Sequence, residues 1–114
     1  MNDVSLIVYT VGDMTEAKRF FGTLVGAEPY VDSPPYVGYK NGDVEIGLVP
    51  GAGERGSSAL PYWAVGDIAA SVEALVAAGG TVVQPVTDVG YGMLVASVKD
   101  PSGATVGLRQ FPKG

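Results

Sequence analysis

The sequence predicts a single α+β domain built from two similar halves, each running strand, helix and then three strands. Three observations carry that prediction. Short β-branched apolar runs alternate with two segments whose apolar residues recur at helical spacing. Gly- and Pro-rich turns separate them. The motif that opens the first helical segment also returns at a fixed offset, from Asp13 to Asp67.

The first strand is the run Val4–Thr10, too short and too β-branched for a typical helix. Val11-Gly12-Asp13 breaks it, and either Asp13 or Thr15 can cap the helix that follows. Glu16 in the first turn suits the helix dipole. Ala17, Phe20, Phe21 and Leu24 form one expected apolar stripe, and Gly26 is a natural stop. A loop with Pro29 and Pro34-Pro35 leads to a short strand at Tyr36–Lys40. Asn41-Gly42 is the hairpin turn, because both residues tolerate positive φ. Val44–Val49 returns as a strand, and Pro50–Ser58 reads as a flexible connector.

The second half restarts with a strand at Leu60–Val65. Ile68, Val72, Leu75 and Val76 then make a second helical stripe, closed by Gly79-Gly80. Thr81–Val83 is a short strand and Pro85–Gly92 a turn-rich loop carrying Tyr91. Met93–Val98 and Ala104–Phe111 are the last strands, joined by the turn Asp100–Gly103. The same 54-residue offset relates Asp13 to Asp67 and Gly26 to Gly80, and Gly-Leu recurs as Gly47-Leu48 and Gly107-Leu108. Duplication explains several matches in register better than turn chemistry does. The halves are expected at 1–54 and 59–114.

With 114 residues, there is room for one modest core. A net charge of −5 and scattered basic residues make nucleic acid a poor partner. No apolar run reaches membrane-spanning length, so no membrane partner is expected. Met1-Asn2-Asp3 lacks the basic flank of a secretory signal, and the cytoplasm is the expected compartment. Without Cys there is no disulfide or thiolate chemistry. Without His, the commonest metal ligand and general base is missing.

Three segments together resemble the vicinal oxygen chelate superfamily, which includes glyoxalase I, extradiol dioxygenases and bleomycin-resistance proteins. They are V-G-D-M-x-x-A-x-x-F-F-x-x-L-V-G (11–26), V-G-D-I-x-x-x-V-x-x-L-x-x-x-G-G (65–80) and K-D-P-S-G-x-x-x-G-L-R-Q (99–110). The resemblance implies paired βαβββ modules whose eight strands form one curled, mixed sheet. The sheet would make a cup for small molecules, with the helices outside. It also implies a homodimer. Enzymes of this family hold a divalent metal with four side chains, two from each half. Carried onto this sequence, those positions are Leu6, Gly47, Leu60 and Gly107, with Glu45 replacing Gly47 if the alignment slips by two. Leucine and glycine side chains have no donor atoms, so the expectation is no metal and no cofactor.

Strand alternation then names the concave face. It carries Leu6, Val8, Glu45, Gly47, Val49, Leu60, Tyr62, Ala64, Thr105, Gly107 and Arg109. Ile7, Tyr9, Ile46, Leu48, Trp63, Val65, Val106 and Leu108 are expected to face the helices as core. Candidate ligand-binding residues are Tyr36, Glu45, Tyr62, Tyr91 and Arg109, in a mostly apolar pocket with few polar groups. Glu45 and Arg109 could instead pair with each other or with solvent. Tyr62 could pack on a dimer partner, and Tyr36 and Tyr39 could be exposed hairpin aromatics. The expected function is metal-independent small-molecule binding that sequesters an antibiotic or metabolite. The alternative is a metal-independent isomerase or lyase with Glu45 as general base and Tyr91 or Arg109 steadying an oxyanion.

Overall fold

A computed structural model describes residues 2–51 and 58–112. Most of the expected connector, at 52–57, lies outside the described residues, as does Lys113. The elements run β1 (Asp3–Val11), α1 (Met14–Val25), β2 (Val31–Ser33), β3 (Tyr36–Asn41), β4 (Val44–Pro50), β5 (Ser58–Ala64), α2 (Ile68–Ala77), β6 (Thr81–Asp88), β7 (Leu94–Lys99) and β8 (Thr105–Gln110). Eight strands and two helices, with parallel and antiparallel pairing, give the mixed α+β class expected.

The chain forms two compact units, Ser5–Leu60 and Pro61–Gly114 with Met1–Val4. In the first, the strand order is β2-β3-β4-β1, β1 running parallel to β4 and the rest antiparallel. The second has the matching order β6-β7-β8-β5, with β5 parallel to β8.

Both helices start on the expected aspartates. Asp13 accepts a hydrogen bond from Glu16 N at 3.0 Å, which settles the cap in its favour over Thr15. Asp67 accepts one from Ala70 N at 3.0 Å. Such a cap contributes about 1 kcal/mol. The α2 start has a second partner, because the Gln110 side chain accepts from Ile68 N at 2.8 Å. Gly26 ends α1 in the left-handed region (φ 82°), its N–H donating to Gly22 O.

Several expectations change. The core-facing stripe of α1 is Met14, Ala17, Phe21 and Val25, all half-buried, while Phe20 and Leu24 are 64% and 69% exposed. Val76 of α2 is likewise exposed. Both helices cover a narrower strip of sheet than the apolar count suggests, so residues at the stripe's edge face water. The hairpin turn sits one residue later, at Gly42-Asp43, because Asn41 pairs with Val44; Gly42 supplies the positive φ of 65°. β2 forms within the Pro-containing loop, and β6 continues through Pro85 to Asp88 by means of two register shifts.

Each unit has its own core between helix and sheet. In Ser5–Leu60 it is Val11, Val37, Tyr39 and Leu48, with Tyr9, Phe21 and Ile46 packed against it. Tyr39 is fully buried rather than an exposed hairpin aromatic, and its hydroxyl donates to Lys18 O at 3.1 Å. In the other unit the core is Val65, Ile68, Ala96 and Leu108. Trp63, expected in that core, is 37% exposed.

Candidate functional site

On the helix-free face of the Ser5–Leu60 unit, registers bring Leu6, Glu45 and Lys40 into one row. Val8, Gly47, Gly38 and Val31 form the next. The two glycines lie side by side on neighbouring strands, and an aromatic ring covers them. A Cβ built at Gly47 would lie 2.8 Å from Tyr36 Cε1, and one at Gly38 would lie 3.0 Å from Tyr36 Cε2. The Tyr30 ring closes over Gly38 from the other side, with Cε1 at 3.1 Å. Rings laid on strand glycines replace the side-chain packing that glycine lacks.

Glu45 stands next to this aromatic bed. Its carboxylate accepts a hydrogen bond from the Tyr30 hydroxyl, and Lys40 Nζ lies 3.9 Å from its other oxygen. Lys40 Nζ also lies 4.6 Å from the centre of the Tyr30 ring, a cation–π distance. Tyr30 was absent from the sequence candidates. It precedes a three-residue strand that periodicity did not reveal, and the only signal for it was the facing pair Gly38 and Gly47.

The Pro61–Gly114 unit repeats the device with a ring from a different strand. On its helix-free face, Tyr62 pairs with Gly107 and Ala64 with Arg109. A Cβ at Gly107 would lie 2.7 Å from Tyr62 Cε2 and 2.8 Å from Cγ. Burial of Tyr62 raises the pKa of its hydroxyl, because the phenolate would lose hydration. Ser97, paired with Gly107, is buried. Arg109 is also buried, at 7% exposure, with its guanidinium carbon 4.7 Å from the centre of the Phe111 ring. Tyr91 is fully exposed between Gly90 and Gly92, at φ 55°, on the loop after β6.

The four positions that the sequence resemblance marks for metal ligands are two leucines and two ring-covered glycines, with Glu45 in place of Gly47 if the alignment slips by two. A longer side chain at 47 or 107 would collide with the tyrosine already there. Glu45 stands beside Leu6 on its face, and no cluster of three potential ligands occurs among the described residues. Since such a site needs three or more protein donors, these residues do not fit a divalent metal of that type.

A sequence profile of the Glyoxalase/Bleomycin resistance protein/Dioxygenase superfamily matches residues 4–108. "Putative glyoxylase CFP32" of Mycobacterium bovis and of Mycobacterium tuberculosis is 33% identical over 109 residues, covering 86% of this chain. The match takes in 41% of those proteins, so the chain spans about two-fifths of their length. Among solved structures, the hypothetical protein BH1468 of Bacillus halodurans superimposes with a TM-score of 0.81 at 14% identity, covering 99% of this chain and 96% of its own. Methylmalonyl-CoA epimerase from Mycobacterium tuberculosis gives 0.70 at 14% identity, covering 97% and 88%. A superfamily member from Vibrio splendidus gives 0.71 at 17%, covering 97% and 100%. At these identities the structural likeness concerns the fold.

Proposed function

The chain belongs to the Glyoxalase/Bleomycin resistance protein/Dioxygenase superfamily, and on that premise we propose that it binds a small molecule without a metal, on the helix-free faces of its sheets. The observation that carries this reading is the pair of tyrosine rings seated on Gly47 and Gly107. Where metalloenzymes of the family project donor atoms, this chain presents aromatic surface. Aromatic surface with a few placed polar groups is the chemistry of a binding pocket. Tyr36 and Glu45, with Tyr30 holding Glu45, are proposed to meet a ligand on the Ser5–Leu60 unit, and Tyr62 and Arg109, with Tyr91 on its loop, on the Pro61–Gly114 unit. The role is sequestration of an antibiotic or metabolite by a homodimer in the cytoplasm.

The test is a thermal-shift screen of antibiotics and aromatic metabolites, run with chelator and with added zinc, nickel or iron. A true ligand at about 100 times its Kd adds roughly 2.7 kcal/mol of stability. The expected result is a hit that survives chelation and weakens in Tyr36→Ala. Stoichiometric metal in the purified protein, or hits that require added metal, would refute the proposal.

The alternative is an isomerase or lyase. Its favouring observation is that the Tyr30 hydroxyl holds the Glu45 carboxylate in one orientation, as a general base requires. Glu45→Gln separates the two readings: an enzyme binds its substrate but loses turnover, whereas a binder has no turnover to lose and shows only a weakened thermal shift.

A further inference from the structure

The 54-residue offset of the repeat gives residues of the first unit counterparts in the second. Tyr9 corresponds to Trp63, Ala17 to Ser71, Phe20 to Ala74 and Phe21 to Leu75. In the first unit the strand aromatic is covered from the helix. Phe21 lies against Tyr9 with ring centres 4.8 Å apart, and Phe20 packs edge-on against Phe21 at 5.2 Å. The second unit keeps the strand aromatic as Trp63 but has lost both helix rings. Its helix α2 packs on β6, β7 and β8. What remains is a cleft of about 340 Å³ on the helix side of the sheet, lined by Trp63, Ser71, Ala74, Leu75 and Val106, with Asn2 at its edge.

We propose that this cleft is a second ligand site, separate from the helix-free face, and that it takes a flat, uncharged aromatic molecule of one or two rings stacked on Trp63. The size argument is direct. An apolar cavity of about 150 Å³ accepts benzene, and small-molecule pockets begin near 300 Å³. The chemistry follows from the lining, which among the described residues has no charged side chain and only Ser71, Asn2 and the Trp63 indole N–H as polar groups. The first unit shows the geometry the ligand would reproduce, since the Phe21 ring lies on Tyr9 there, with the largely exposed Phe20 ring against its edge.

Indole is a suitable probe, titrated into isotopically labelled protein and followed by NMR. The chain has one tryptophan, so a single side-chain indole N–H signal reports on the cleft. Saturable shifts at Trp63, Ser71, Ala74 and Val106 are expected. Ala74→Phe, which restores the ring found at position 20, should weaken binding about tenfold or more. Three results would overturn the proposal: no saturable shift at Trp63, shifts centred on Tyr62, Gly107 and Arg109, or a Trp63 shift that follows protein concentration alone. The last would mean that a second copy covers the cleft. Mapping on the unmodified protein decides the matter even if Ala74→Phe does not fold.

Discussion

Gly107→Ala tests the ring-on-glycine arrangement most directly. The added Cβ would sit 2.5 Å from Tyr62 Cδ2 and 2.8 Å from Cγ, closer than real Cβ atoms come. Because Cγ is the root of the ring, Tyr62 cannot swing aside without leaving its rotamer or shifting β5. Overpacking of this kind costs about 1–3 kcal/mol. Gly107 lies outside the positive-φ residues, so alanine suits its backbone and recovers about 0.4–1 kcal/mol by restricting the unfolded chain. The difference is at most about 2.6 kcal/mol and centres near about 1.3 kcal/mol, a fall in Tm of roughly 5 °C for a domain of this size. Calorimetry on Gly107→Ala, Tyr62→Ala and the double variant measures it. Introducing the alanine into the Tyr62→Ala background should cost at least about 0.5 kcal/mol less. An unchanged Tm, or the same penalty in both backgrounds, would show that the ring does not lie on the glycine. Gly47→Ala should be milder, because the nearest atoms there belong to the far end of Tyr36.

Other outcomes follow from the same packing. Phe21→Ala should cost about 3 kcal/mol in urea unfolding, whereas Phe20→Ala should cost under about 1 kcal/mol, since only Phe21 packs into the core. Gln110→Ala leaves the Ile68 N–H without its side-chain acceptor and should destabilise by about 1 kcal/mol. The Asp100 carboxyl is held below the usual aspartate value by the Ala104 N–H first and Ser102 second. Its contribution is therefore complete above the ordinary aspartate pKa and fades as pH falls through the lower folded value. Asp100→Asn should be less stable than the wild type at neutral pH, with the two denaturation curves converging in acid.

Much of the fold was legible because its signals are local. Asp13, Asp67 and Gly26 act within a few residues of themselves, so capping chemistry marked the α2 start and the α1 end and narrowed the α1 start to Asp13 or Thr15. Strand alternation put Glu45 and Gly47 on the face opposite Ile46 and Leu48, as observed. Where reading by position failed, the cause was contact at a distance. Phe20 and Leu24 have the period of a core stripe, yet which side of a broad apolar surface is buried depends on where the helix lands. β2 has three residues, too few to show any period.

The candidate site divides in the same way. The lack of His and the leucines and glycines at 6, 47, 60 and 107 are facts of sequence, and the expectation of a metal-free site rests on them. That Tyr36 and Tyr62 lie over those glycines, that Tyr30 engages Glu45, and that Trp63 opens onto a cleft were decided only by tertiary structure. A residue's type is enough to exclude an interaction it has no atoms to make. Which atoms come together depends on strand register and helix placement, and those are settled by packing over the whole unit.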